Sequence, residues 1–260
     1  MIRQLEAGEH IDKRKLIESC SGRRILAYFK AYGTDYDFCR FFKAENDGEA
    51  TYIVIINSTM IICGKAADAE ELSCFVQMHM PFRVEGTQEA LEKVRCSGYQ
   101  RLSRTIFRLA ADNESIAADE KDICFSPKLD DVYAILKEGF PNLLDYGLWL
   151  TDTSHRVRHG ISRVLTYKES TCATLVYDID DYVLVGQVAT KPEARGSGYA
   201  RAFLRWLAGY LQKQGKKAYL FALDIRESFY VEIGFEPVSR EFVLEQTDGS
   251  KDNILKGKLQ

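Results

Sequence analysis

Residues 183–215 read VLVGQVATKPEARGSGYARAFLRWLAGYLQKQG, and three physical signals follow one another in that order. An apolar run long enough for a strand ends at Lys191-Pro192, where proline breaks ladder pairing. Arg195-Gly196-Ser197-Gly198-Tyr199-Ala200 comes next. An amphipathic helix starts near Gly198 and runs to Lys213, with Phe203, Trp206, Leu207 and Tyr210 forming one apolar stripe and Gly215 ending it. Strand, glycine-rich turn and helix start together make an anion site. The first helical N–H groups have no intrahelical acceptor, and the macrodipole puts partial positive charge there. Gly196 and Gly198 permit positive φ and let backbone approach oxygen atoms that a Cβ would obstruct. Arg195 adds a fixed charge.

Two phosphate-binding patterns fail on this stretch. No Gly-Lys-Ser/Thr is present, so the Walker A loop is excluded, and Arg201 occupies the third glycine of the dinucleotide pattern. Downstream, a strand at Lys217–Leu223 leads into a short helix at 226–233 holding Ser228-Phe229-Tyr230-Val231-Glu232-Ile233-Gly234-Phe235.

Working outward, the second half predicts a strand at 123–126, a helix at Leu129–Gly139, a short helix at 152–159, strands at Arg163–Tyr167, 171–177 and Tyr182–Thr190, and a closing strand or pair at 235–244. The first half predicts helices at 10–20 and 23–32, then strands at 38–44, 51–57 and 59–63, the first two flanking the Asn46-Asp47-Gly48 turn. A helix at 70–78, a strand at 82–85, a helix at 88–94 and a strand at 99–109 complete it. Residues 111–122, polar, acidic and aperiodic, read as a linker. The expected domains are therefore 1–110 and 123–260, with the same coarse element order and no residue-level repeat.

Composition narrows the function. Of 260 residues, 46% are hydrophobic, so a core is available, and 35 basic against 38 acidic side chains give a formal charge of −3. That balance argues against a nucleic-acid binder with a broad basic surface. No apolar run reaches the ~20 residues of a membrane span, and no h-region follows Met1, so a soluble cytoplasmic protein without membrane or nucleic-acid partners is expected. Seven cysteines (Cys20, Cys39, Cys63, Cys74, Cys96, Cys124, Cys172) stand singly, which suggests reduced thiols rather than disulfides or a zinc knuckle. His155 and His159 have metal-binding spacing, but the intervening Arg156 and Arg158 would repel a cation, and no metal site is expected. The same basic run could instead line a pocket for an anionic substrate.

Arg195-x-x-Gly198-x-Ala200 resembles the pyrophosphate loop of the GNAT superfamily of N-acetyltransferases, and Phe229-Tyr230-x-x-x-Gly234-Phe235 resembles that superfamily's second signature, in the right order. The resemblance covers about residues 123–244. It implies an α+β fold with a mixed, mostly antiparallel sheet flanked by helices, and acetyl-CoA as co-substrate. The diphosphate would lie on the amides of Arg195, Gly196, Ser197, Gly198, Tyr199 and Ala200. The pantetheine arm would pair with Val188, Ala189 and Thr190 where that strand splays from its neighbour at a bulge. Tyr230 would protonate the departing thiolate, the ordinary phenol and thiol being close enough in acidity for proton transfer within a tight complex. The apolar stripe Ile225, Phe229, Ile233 would seat its helix on the core. The acceptor would be a primary amine on a small molecule or peptide; the other reading is an acyl-CoA-binding regulatory module without turnover. Asp180, Asp181, Glu169 and Asp224 are candidate bases only as solvated carboxylates near strand ends, and none is chosen. Asp224 stands where many relatives carry asparagine.

The first half carries GKAADAEELSCF at 64–75, where the loop would fall. With Asp68, Glu70 and Glu71 there it resembles a degenerate copy in a tandem arrangement, one that does not bind CoA. Completing the acceptor cleft and forming a homodimer both remain open roles for it.

Overall fold

The chain is described here from a computed structural model, covering residues 1–110, 118–140 and 143–247. Its contacts divide it into two compact units, Met1–Arg104 with Arg240–Gln260, and Thr105–Ser239.

Chain order gives the elements of the first half: β1 (Arg3–Gln4), α1 (Lys13–Leu16), α2 (Cys20–Tyr32), β2 (Cys39–Asn46), β3 (Glu49–Ile56), β4 (Thr59–Gly64), α3 (Ala69–His79), β5 (Arg83–Thr87), α4 (Gln88–Leu91) and β6 (Tyr99–Arg108). In the second half follow β7 (Ile123–Cys124), α5 (Leu129–Gly139), α6 (Tyr146–Arg158), β8 (Arg163–Tyr167), β9 (Thr171–Ile179), β10 (Tyr182–Thr190), α7 (Tyr199–Lys213), β11 (Lys217–Leu223), α8 (Asp224–Glu232) and β12 (Glu236–Gln246). Mixed α+β architecture with mostly antiparallel pairing is thus as expected from the sequence.

The first unit pairs β1 to β4 antiparallel in chain order, then β4 with β5 parallel. Residues Glu241 to Glu245 of β12 lie antiparallel on the far edge of β5. They are held there by a buried charge cluster. Glu85 accepts from Arg24 and Arg104, Arg104 also reaches Glu241 at 2.9 Å, and Ser21 donates to Glu241 at 2.7 Å. Burial alone would raise the Glu85 carboxyl, but Arg104 and Arg24 outweigh it and hold that carboxyl well below the usual range.

The second unit pairs β7, β8, β9 and β10 antiparallel, and β10 with β11 parallel. Leu109, at the end of β6, donates its N–H to the Ala218 carbonyl of β11 at 2.9 Å. On one face of this sheet α7 buries Phe203, Leu204, Leu207 and Leu211 against Leu175, Val183, Val185 and Leu220. Full burial of each such side chain contributes about 1.5–3 kcal/mol. The other face carries α5 and α6 through Val132, Ile135, Leu136 and Trp149, packed on Val164, Cys172 and Ala189.

The contacts divide the chain inside β6 and β12, with 105–108 in the second unit and 240–246 in the first, where Glu241 to Glu245 pair with β5. Residues 111–117 of the expected linker and 248–260 lie outside the described residues. The helix expected at 152–159 begins two turns earlier, at Tyr146, capped by Asp145, whose carboxylate accepts from the Gly147 N–H.

Candidate active site

The site is built on β10, and its first feature is a departure from regular pairing. Parallel pairing with β11 covers only Tyr182 to Val185 against Lys217 to Leu220. Beyond it the β11-facing edge of residues 186–190 has no ladder partner in that pairing. On its other edge β10 slips register with β9 between Gly186 and Ala189. Gln187 lies in this bulge with φ +49°, a left-handed conformation that costs a side-chain-bearing residue about 1 kcal/mol or more. Two contacts hold it: Thr174 Oγ1 donates to Gln187 Oε1 at 2.9 Å, and the Cys172 thiol donates to the Gln187 carbonyl at 3.6 Å. Burial pushes the Cys172 thiol up to about 12, so it stays protonated and inert as a nucleophile. Neither Gln187 nor Thr174 carries a local signal for this role, the bulge itself being expected only from the resemblance. Val188 and Ala189 fall on opposite faces, Val188 against the α7 core and Ala189 in the α5–α6 cluster.

After a 3-10 turn at Pro192–Ala194, the loop expected to hold the diphosphate follows. Gly196 and Gly198 have φ +78° and +76°, and a Cβ at either would meet nothing within 4 Å, so they are chosen for backbone conformation and leave an open approach. Gly198 is the N-cap of α7 and supplies no side-chain cap, so the N–H groups of the first turn, from Tyr199 onward, are uncapped. The residues present therefore fit a diphosphate: a cradle of amides at a fifteen-residue helix, with no carboxylate competing. Arg195 acts differently from the expectation of a charge simply turned to the ligand. Its Nε donates to the Thr190 carbonyl at 3.1 Å and its Nη2 to the Glu138 carbonyl at 3.0 Å, bracing the loop on the end of β10 and the last turn of α5.

Tyr230 sits on α8 with its ring 5.5 Å from that of Phe107 and 5.2 Å from that of Phe229, at the margin of the core that also receives Val188 and Tyr199. Burial raises its phenol above the ordinary value, with Arg226 opposing more weakly, so Tyr230 is a protonated donor at neutral pH. Its hydroxyl has no hydrogen-bond partner among the described residues. The expected stripe is corrected at one position: Ile225 is 82% exposed, because the first turn of this nine-residue helix stands clear of the core and only Phe229, Tyr230 and Ile233 reach it.

Arg156 is removed from the candidate acceptor residues. It is 7% exposed, paired with Asp152 at 2.6 Å, and donates to the Val176 carbonyl at 3.1 Å. His155 and His159 stack on each other at 4.1 Å. Among the described residues no group of three side chains is placed to hold a metal ion.

The first unit repeats the plan without the bulge. Its β3–β4 register runs unbroken from Thr59 to Gly64. The following helix is capped by Asp68, whose carboxylate accepts from the Glu71 N–H at 2.8 Å, with Glu70 and Glu71 in the first turn.

This fold is that of the GNAT acetyltransferases. A GCN5-related N-acetyltransferase from Sphaerobacter thermophilus superposes with a TM-score of 0.62 at 16% identity, over 95% of each chain. The GCN5-related N-acetyltransferase from Kribbella flavida gives 0.56 at 12% identity, over 90% of this chain and 98% of its own. A tandem GNAT protein from the clavulanic acid biosynthesis pathway gives 0.55 at 11% identity, over 96% and 99%. No protein-family model and no curated protein sequence matches the chain. Among the described residues no helix is long and apolar enough to cross a membrane.

Proposed function

We propose that the protein is an N-acyltransferase that moves an acyl group, acetyl in the simplest case, from coenzyme A to a primary amine by direct transfer. The observation that carries this reading is the uncapped start of α7 directly beyond a strand that parts from β11 at a bulge. Acyl-CoA would supply the thioester. The amides from Gly196 to Ala200 bind and orient its diphosphate, and the free edge of Val188, Ala189 and Thr190 aligns its pantetheine arm as an added strand. Tyr230 holds a proton on a partly buried hydroxyl that no group among the described residues claims, placed for a departing thiolate. The first unit, with its acid-capped helix, is read as a copy without a CoA site. A panel of amino acids, peptides, polyamines and other small amines, assayed by release of free CoA from acetyl-CoA, tests the proposal. Turnover of at least one amine is expected; binding of acetyl-CoA with no turnover across the panel would leave an acyl-CoA-responsive binding module instead.

A further inference from the structure

The hairpin joining β8 to β9 turns at Lys168 and Glu169, which have φ +50° and +48°. It is fastened to the loop region, since the Lys191 N–H donates to the Ser170 carbonyl at 2.8 Å. The Lys168 side chain is 39% exposed and lies over two rings. Its ammonium lies 5.1 Å from the ring centroid of Tyr199 and 5.5 Å from that of Tyr167, and those two rings meet edge to face at 5.6 Å. Tyr199 is the first residue of α7, so the cation is held beside the uncapped helix start. The Asp122 carboxylate, 3.8 Å away, and the Lys168 N–H to the Asp122 carbonyl at 3.0 Å keep the turn and the lysine in this place. Beside it opens a cleft of about 390 Å³ lined by Lys121, Asp122, Ile123, Cys124, Lys168 and Glu169. A cation fixed on two aromatic faces keeps its charge while losing little rotamer entropy on binding an anion.

We infer that Lys168 and this cleft recognise a second phosphate of the same ligand: a phosphomonoester set apart from the diphosphate, as on the ribose of coenzyme A. The inference rests on the proposed acyl-CoA reading and adds a selectivity for the 3′-phosphorylated nucleotide. Lys168 supplies the principal charge, since Lys121, which also lines the cleft, is paired with Asp119 at 2.8 Å. Asp122 and Glu169, which line the same cleft, oppose an anion, and Glu169, which is not the carboxylate paired with Lys168, gives the inference a test of sign.

Calorimetric titration with CoA and with 3′-dephospho-CoA, on the full chain, decides it. The unaltered protein is expected to bind CoA about fivefold tighter, the ratio one partly exposed ion pair gives. Lys168→Met keeps the stem on the two rings, so it should bring CoA down to the level of dephospho-CoA while leaving the latter within about twofold. Glu169→Gln should tighten CoA alone. Equal affinities for the two nucleotides in the unaltered protein, or equal weakening of both by Lys168→Met, would overturn the inference while leaving the diphosphate site standing. Absence of binding by either nucleotide would remove the acyl-CoA reading itself.

Discussion

Two helix starts, one in each unit, follow the same antiparallel-then-parallel strand plan, and they do opposite things with their unpaired amides. At α3, Asp68 folds its carboxylate onto the Glu71 N–H, and the acidic first turn neutralises the dipole. At α7, Gly198 offers no side chain, Gly196 and Gly198 take positive φ, and no side chain caps the amides. The strands before them differ likewise: β4 keeps register with β3, whereas β10 bulges at Gln187 and leaves β11. A helix start completed by its own carboxylate contributes stability; one left incomplete is available to an anion.

Converting one end into the other is the harshest way to break this contrast. Gly198→Asp should weaken CoA binding about a thousandfold in calorimetry, since a carboxylate would lie within about 4 Å of the diphosphate on a position that prefers glycine. The first unit, by comparison, places its charge inside. Glu85→Gln removes the buried carboxylate that Arg24 and Arg104 share, with Glu241 remaining for Arg104, and should cost about 3 kcal/mol in urea unfolding. Because the folded Glu85 carboxyl titrates below its unfolded counterpart, its contribution is complete above about pH 5 and is lost as pH falls, so acid should unfold this unit early. Tyr230→Phe should lower kcat about a hundredfold with CoA affinity within about twofold, separating a proton donor from a packing residue. With the phenol pKa raised and the attacking amine obliged to lose its proton, the rate should climb from pH 7 to about 9 without an alkaline fall in that range. Mildest is Asp68→Ala, about 1 kcal/mol of lost stability and no gain of CoA binding at α3.

The two helix starts also show how far the residues could be read directly. Gly196, Gly198 and the acidic pair after Asp68 are local chemistry, and so are β8, β10, β11 and α5, whose limits follow from apolar spacing and bounding turn residues. Three features were not legible. Pairing of Glu241 to Glu245 with Arg83 to Thr87 joins segments far apart in the chain, and no local pattern encodes it. The bulge depends on Gln187 adopting a conformation its type seldom takes, held by Thr174 from the neighbouring strand. Arg195 looked like a ligand charge, and only its contacts to Thr190 and Glu138 show a brace.

The central claim concerns where a diphosphate is held. Amide chemical shifts of the isotope-labelled full chain, recorded during titration with coenzyme A, test it residue by residue. The shifts of Gly196, Gly198, Tyr199 and Ala200 are expected to move furthest, while Ala69, Glu70 and Glu71 stay still. Shifts centred on α3, or none at saturating CoA, would contradict it.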